Sequence, residues 1–138
     1  MSRFVLDTSV ALAWHFEDES NLFADAVLEA LRTSPAVVPL MWRLEVANAL
    51  LVAERRRRTT PAASRRFLGL LGSLDIRLDE RSSDIRTEDW LDLARECQVA
   101  FYDASFLELA VREGLPLATL DQPLRRAARA HGVRLFAP

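Results

Sequence analysis

The chain has 138 residues with 50% hydrophobic content, enough for one hydrophobic core and too little for two ordinary domains, so we predict a single domain over 1–138. No apolar run approaches the ~18 residues that a membrane span needs, and the first residues lack a signal-peptide pattern, so we expect a cytoplasmic protein. The net charge of −2 excludes a uniformly basic nucleic-acid clamp, and the absence of lysine excludes any mechanism that needs a side-chain ammonium group. The single cysteine, Cys97, excludes an internal disulfide.

Short apolar runs and helical periodicities alternate along the chain. The apolar runs predict five strands, at 3–7, 36–38, 75–78, 116–119 and 133–135. Apolar residues at helical spacing, bounded by capping residues, predict helices over 21–32, 43–58, 61–72, 87–96, 103–113 and 121–130. This alternation predicts a three-layer α/β/α sandwich with a mainly parallel five-stranded sheet.

Four acidic residues stand at the ends of these elements. Asp7 ends the first predicted strand and Asp121 lies just past the fourth, and sites in parallel sheets form at that edge. Glu45 and Asp103 lie in the first turns of predicted helices, where the helix dipole favours an anion. Four carboxylates in one crevice would repel one another unless a hard divalent cation neutralised them. Because Mg²⁺ and Mn²⁺ prefer oxygen ligands, we predict one of them as the cofactor.

Each acid taken alone also fits a structural role, as a turn residue or a helix cap, and it is their joint placement that favours a metal site. Four polar residues lie near them. Thr8, Ser9 and Thr119 are predicted either to position water or a phosphate oxygen, or to cap helices. Asn48, one turn after Glu45, is predicted either to orient that carboxylate or to be a buried amide bonded to the backbone.

Four sequence blocks resemble the PIN-domain motifs of VapC-type toxins. They are VLDTSVALAW at 5–14, PLMWRLEVANAL at 39–50, YDASFLELA at 102–110 and LATLD at 117–121. The Asp-Thr-Ser opening is a weak signal by itself. The four blocks together, in the right order and spanning nearly the whole chain, are strong evidence for the resemblance.

The resemblance implies a five-stranded parallel sheet between helices, a homodimer, dependence on Mg²⁺ or Mn²⁺, and cleavage of single-stranded or loop RNA. It also implies a cognate VapB-like antitoxin that occupies the active site and often binds operator DNA. By family likeness Asp7, Glu45, Asp103 and Asp121 are the metal-holding quartet, with Thr119 near them. A divalent cation makes hydroxide available from water near neutral pH, so no histidine base is required. Either Asp103 or Asp121 would orient the attacking water, and in-line attack would leave a 5′-phosphate and a 3′-hydroxyl.

Other classes fit the sequence less well. A haloacid-dehalogenase-like phosphatase needs a second aspartate two residues after the first and a later lysine, but position 9 is Ser9 and the chain has no lysine; a receiver domain also needs that lysine. A metal-free ribonuclease would need two imidazoles in one site, whereas His15 follows Trp14 in a predicted short helix and His131 ends another helix. A non-catalytic PIN-like interaction module remains the alternative, although this chain keeps all four acids.

The arginines cluster at 55–58, 65–66 and 125–134, so any nucleic-acid contact must be regional. In a helix over 43–58, Arg56 would lie on the face of Glu45, about 16 Å further along, and Arg58 would point nearly the opposite way. Arg56 is therefore a candidate RNA-binding residue. Ala49 and Val52 on the same face suit a packed or dimer surface better, and a solvated helix end attracted to the dipole is the simplest interpretation.

Overall fold

A computed structural model describes residues 2–138 and shows an α/β fold in which a parallel sheet is flanked by helices. The strands are β1 (Phe4–Leu6), β2 (Ala36–Val38), β3 (Ile76–Leu78) and β4 (Leu117–Ala118). The helices are α1 (Thr8–Ala13), α2 (Leu22–Ala30), α3 (Leu40–Arg55), α4 (Pro61–Ser73), α5 (Thr87–Cys97), α6 (Phe101–Glu113) and α7 (Gln122–Ala130), with 3₁₀ turns at Glu17–Glu19 and Ser82–Asp84. None of the helices within the described range is both long enough and apolar enough to cross a membrane.

The sheet has the order β3-β2-β1-β4, and every neighbouring pair is parallel. All three residues of β1 are fully buried because helices cover both faces of the central strands, which is the reason such strands are continuously apolar. Val5 lies opposite Val37 on one side and Leu117 on the other. The carboxyl ends of β1 and β4 therefore lie next to each other.

The predicted helix starts at Asn21, Thr60 and Asp121 are confirmed by their capping hydrogen bonds. The side chain of Asn21 accepts from the backbone N–H of Phe23 at 2.8 Å, and that of Thr60 accepts from Ala63 at 3.1 Å. Asp121 accepts from the N–H of Leu124 at 2.9 Å. These side chains satisfy backbone donors that the first turn of a helix leaves free.

The predicted limits of α3, 43–58, are wrong at both ends. The helix begins at Leu40, directly after Pro39, and it ends at Arg55. Arg57 has the left-handed φ of 60°, and the N–H groups of Arg57 and Arg58 bond to the carbonyls of Glu54 and Ala53. This is a Schellman closure with arginine in the position that glycine usually takes, and it removes Arg58 from the helix.

Within residues 2–138, the fifth predicted strand, at 133–135, does not form, and the sheet has four strands. The segment makes a single parallel bridge, Leu135 to Leu117, with hydrogen bonds from Leu117 N–H to Arg134 and from Phe136 N–H to Leu117. The strand β4 is only two residues long, and the carbonyl of Ala118 already accepts a hydrogen bond from the N–H of Asp7, just after β1. Leu117 is therefore the one residue of β4 that pairs with the segment at 133–135. The ring of Phe136 stacks on Phe4 with centroids 4.0 Å apart and so covers this edge.

Candidate active site

Four structural elements bring the predicted acids to one edge of the sheet. Asp7 follows β1, Asp121 precedes α7, Glu45 lies in α3, and Asp103 lies in the first turn of α6. The four carboxylates act on each other: the charge of Asp7 raises the pKa of both Glu45 and Asp103, and the charge of Asp121 raises that of Asp7 and Asp103. We call Asp7, Glu45, Asp103 and Asp121 the acidic cluster.

Asp7 is the buried member of the acidic cluster, with 4% of its surface exposed. One carboxylate oxygen, Oδ2, accepts hydrogen bonds from the hydroxyls of Ser9 at 2.6 Å and Thr119 at 2.7 Å. Burial raises the pKa of Asp7, and the bonds from Ser9 and Thr119 only partly offset this because they favour the charged form. The two hydroxyls fix the orientation of this carboxylate between β1 and β4.

Glu45 is half-buried, and its Oε1 accepts a hydrogen bond from the hydroxyl of Thr8 at 3.1 Å. Burial, followed by the charge of Asp7, raises the pKa of Glu45 to about 7. The same two causes raise the pKa of Asp103 to about 6. Each of these two carboxyls therefore changes charge close to neutral pH.

Asp103 and Asp121 differ in how their oxygens are used. Asp121 is the N-cap of α7, with Oδ2 engaged by the N–H of Leu124. No hydrogen bond within residues 2–138 reaches the carboxylate of Asp103, although the residue is half-buried. Both oxygens of Asp103 are thus free to contact a ligand, whereas Asp121 has one such oxygen.

The predicted supporting residues divide into two groups. Ser9 and Thr119 contact Asp7 as described, and they also fix the loop after β4: Ser9 Oγ accepts from the N–H of Leu120, and Thr119 Oγ1 from that of Asp121, both at 3.0 Å. Asn48 is exposed, so the buried-amide interpretation is wrong, and no hydrogen bond joins it to Glu45 within the described part of the chain. Glu45 instead accepts from the hydroxyl of Thr8, which the sequence predicted to position water or a phosphate oxygen or to cap a helix.

A divalent cation fits the chemistry of the acidic cluster. All the donors are carboxylate oxygens, which Mg²⁺ and Mn²⁺ prefer. Among residues 2–138, no arginine or histidine contributes to the pKa shifts of Asp7, Glu45 or Asp103, so the negative charge lacks a protein counter-ion. In the same range, no three acidic, histidine or cysteine side chains are close enough to enclose a metal as they stand. The structure therefore gathers the acids without closing them into a cage.

The two histidines lie in different parts of the fold. His15 follows α1, its Nε2 lies 2.9 Å from the hydroxyl of Thr59, and its ring packs on Phe67. His131 ends α7, and both of its ring nitrogens lie 3.7 Å from the sulfur of Cys97. The contacts of the two imidazoles share no residue, which argues against a metal-free ribonuclease that needs both in one site.

The arginine run after α3 is not uniform. Arg56 is exposed and is the C-cap residue of α3, one residue past the end of the helix, so its role as an RNA-binding residue stays a prediction. The predicted direction of Arg58, nearly opposite to the face of Glu45, assumed a continuous helix and is wrong because α3 ends at Arg55. Its guanidinium pairs with Asp18 and Glu19, each at 3.1 Å, and lies 4.4 Å from the ring centre of Phe16.

The fold and the acidic cluster define an α/β protein with a carboxylate site at the carboxyl ends of parallel strands. The family model of the PIN domain matches residues 4–130, and the chain belongs to this family. PIN domains are typically nucleases and generally use divalent metals.

One solved structure supports the same assignment. The crystal structure of PAE2754 from Pyrobaculum aerophilum is similar with a TM-score of 0.69 at 25% sequence identity, and the match covers 91% of this chain and 84% of that one. No curated protein matches the sequence.

Proposed function

We propose that this chain, as a single PIN domain over 1–138, is a metal-dependent endoribonuclease and the toxin component of a VapBC-type toxin–antitoxin module in the cytoplasm. The observation that carries the nuclease proposal is the acidic cluster itself. Each of its four carboxylates is within range of the charge of at least two others, and none forms an ion pair in residues 2–138. Such a cluster is unfavourable for the protein alone and becomes favourable when a cation binds.

The residues proposed to hold Mg²⁺ or Mn²⁺ are Asp7, Glu45, Asp103 and Asp121. When bound, the cation would acidify water and offset the negative charge that develops on the phosphate. Ser9 and Thr119 keep Asp7 Oδ2 in place, and Thr8 does the same for Glu45 Oε1. These three hydroxyls would hold the carboxylates in position before substrate arrives, which reduces the reorganisation needed for reaction.

Asp103 is the better candidate for orienting the attacking water. Its two oxygens accept no hydrogen bond within residues 2–138, while Asp121 uses one oxygen to cap α7. Attack in line with the leaving oxygen would leave a 5′-phosphate and a 3′-hydroxyl.

The decisive assay is cleavage of total RNA by the purified protein with Mg²⁺, with Mn²⁺ and with EDTA. Cleavage that requires either cation and stops in EDTA supports the proposed activity. Cleavage that persists in EDTA contradicts the metal dependence. Absence of cleavage under all three conditions, with Mn²⁺ binding measured by calorimetry, favours the non-catalytic interaction module.

The proposed antitoxin leads to a genetic prediction. Because the crevice is acidic, the partner should be a short VapB-like protein, encoded by a neighbouring gene, with a DNA-binding N-terminus and a basic or aromatic tail. Expression of this chain alone should arrest growth, and co-expression of the neighbouring protein should relieve the arrest. Unchanged growth and intact RNA after expression in the host would contradict the toxin role, even if cleavage in vitro remained.

The proposed homodimer has a candidate interface on α3. Leu40, Leu44 and Leu51 are 51%, 59% and 43% exposed, and their spacing places them on one side of the helix together with exposed Ala47. Soluble monomers rarely expose contiguous apolar patches of more than a few hundred Å². The four positions carry no charge, so the stripe could pair with its symmetry-related copy without like-charge contacts.

We therefore predict that Leu44→Glu converts the dimer to a monomer in sedimentation velocity, because it places like charges against each other at the two-fold axis. Leu22→Glu is the matched control: Leu22 is 88% exposed but lies at the start of α2. The control should remain dimeric. Dimers of equal strength in both variants would contradict this interface, and a monomeric wild type would contradict the dimer.

A further inference from the structure

We propose that five arginines at the junction of α3 and α4 form a second RNA-binding site, which contacts phosphates of the substrate away from the acidic cluster. The basic junction, as we call it, consists of Arg55, Arg56, Arg57, Arg65 and Arg66. All five side chains are exposed. The proposal rests on the proposed ribonuclease function and adds to it the surface along which the substrate binds.

The contacts around the α3–α4 loop bring the two groups of arginines together. The hydroxyl of Ser64, in the first turns of α4, donates to Glu54 Oε2 at 2.7 Å, one residue before α3 ends. His15 contacts Thr59 in the loop, and burial followed by the charge of Arg66 lowers the pKa of His15. Arg66 therefore lies near the same loop that carries Arg57.

The charge of the basic junction is not compensated. Within residues 2–138, none of its five guanidiniums forms an ion pair with an acidic side chain, although the chain has more acidic than basic residues. Neighbouring positive charges repel each other, and binding of a polyanion relieves that repulsion and releases counterions. An acidic protein overall, with a local concentration of free arginines, fits a regional contact with a nucleic-acid backbone.

Arg58 holds the junction in shape and is not available for RNA. Its ion pairs with Asp18 and Glu19 and its position over Phe16 tie the loop to the 3₁₀ turn at Glu17–Glu19. The Schellman closure fixes the backbone of Arg57 and Arg58 from the other side. The exposed arginines are thus presented from a fixed loop, which lowers the entropic cost of binding.

The position of the basic junction suits a strand that also reaches the acidic cluster. Arg56 comes eleven residues after Glu45 on the same side of α3, about 16 Å along the helix axis. Ala49 and Val52, which lie between, carry no charge that would repel the strand.

RNA explains the basic junction better than an acidic protein partner does. Its five positions are all arginine, and protein interfaces usually depend on buried aromatic or aliphatic anchors at their centre. A phosphate backbone needs no such anchors, because repeated contacts from arginine to phosphate supply the affinity. The guanidinium also binds phosphate oxygens in a bidentate manner.

The test is fluorescence anisotropy of a labelled single-stranded oligoribonucleotide with the full chain, in EDTA to prevent cleavage, at several KCl concentrations. Arg65→Ala with Arg66→Ala should weaken binding and reduce the slope of log K against log salt by up to about 1.4, and Arg56→Ala by about 0.7. The matched control is Arg126→Ala with Arg129→Ala, which removes two exposed arginines without ion pairs on α7. The control should keep the wild-type slope. Melting temperatures of all variants should match the wild type.

Two results would overturn the proposal. An equal loss of RNA affinity in the junction pair and the control pair would indicate general electrostatic attraction. Normal RNA binding by the junction variants, together with lost binding of polyglutamate, would indicate an acidic protein partner. Cleavage assays separate this proposal from the proposed function. If the wild type cleaves RNA but the junction variants bind it normally, the junction is wrong and the activity stands. If RNA binds through the junction but is never cleaved, the junction stands and the ribonuclease is wrong.

Discussion

Asp103→Asn should abolish metal-dependent RNA cleavage while leaving the fold intact. The substitution removes one anionic oxygen from the acidic cluster without changing the shape of the side chain, and no hydrogen bond within residues 2–138 depends on that carboxylate. Loss of residues that only support metal ligands typically costs 10- to 100-fold, so loss of a ligand should cost more than about 100-fold. The measurement is the rate of RNA cleavage with Mn²⁺, together with Mn²⁺ affinity by isothermal titration calorimetry.

Asp89→Asn provides the matched control for this variant. Asp89 also lies in the first turn of a helix, α5, but it is exposed and outside the acidic cluster. It should cleave RNA and bind Mn²⁺ like the wild type. Full cleavage by Asp103→Asn would reject the site assignment, and lost cleavage with unchanged Mn²⁺ affinity would leave Asp103 as a water-orienting group that does not hold the metal.

Asp7→Asn should also abolish cleavage, but it tests the site less cleanly. Oδ2 of Asp7 accepts hydrogen bonds from the hydroxyls of Ser9 and Thr119. An asparagine can accept both hydroxyl bonds through its oxygen in only one orientation of its amide, because the reversed orientation places an NH2 group against the hydroxyls of Ser9 and Thr119. Part of any loss in this variant would therefore reflect a disturbed loop, which its melting temperature would reveal.

The placement of the acids was predictable because it follows from local rules. A buried apolar run that ends in Asp7 and another that ends before Asp121 define one edge of a parallel sheet, and the first turn of α6 brings Asp103 to the same edge. The predicted first-turn position of Glu45 is wrong, because α3 begins at Leu40 and Glu45 lies in its second turn. The hydroxyls of Ser9 and Thr119 contact Asp7 because they lie beside it on neighbouring strand exits. These features depend on which residues directly precede or follow each strand and helix, and the sequence shows this directly.

The features that were not predicted depend on contacts between distant residues. Nothing in the run after Ala53 marks the end of α3, because the left-handed position is taken by Arg57, which favours that conformation less than glycine does. The hydrogen bond between Arg58 and Asp18 joins residues that are 40 positions apart in the sequence. The fifth strand is missing for a similar reason. Its partner, β4, is only two residues long, so the segment at 133–135 has too few backbone groups to pair with.

The pH dependence of stability should distinguish a self-repelling cluster from ordinary surface acids. The pKa of Glu45 is about 7 in the folded chain, compared with 4.5 for an ordinary glutamate, and that of Asp103 is about 6, compared with 3.8. Folding therefore favours the protonated forms. Their contribution to stability is complete below the ordinary pKa values and is lost as pH rises through about 6 and 7.

Other groups complicate the pH profile of the wild type alone. Burial lowers the pKa of His15, so its contribution has the opposite sign and increases as pH rises toward 6.5. The hydrogen bonds and charge of Arg112 outweigh burial and lower the pKa of Asp79, whose contribution is lost only as pH falls below 3.8. A comparison of the wild type with a variant at Glu45 cancels both contributions.

In metal-free buffer at pH 8, the melting temperature of Glu45→Gln should be a few degrees above that of the wild type. Below pH 5 the two melting temperatures should be equal. Glutamine keeps an oxygen to accept the hydroxyl of Thr8 and removes the charge that Asp7 and Asp103 repel. One pKa unit corresponds to about 1.4 kcal/mol, reduced here by solvent screening in a half-buried site. Mn²⁺ should raise the melting temperature of the wild type more than that of the variant.

The matched control is Glu17→Gln, at an exposed glutamate outside the acidic cluster, and its melting temperatures should equal those of the wild type under every condition. A lower melting temperature for Glu45→Gln at pH 8 would mean that Glu45 stabilises the metal-free fold, which is incompatible with a cluster held for a cation.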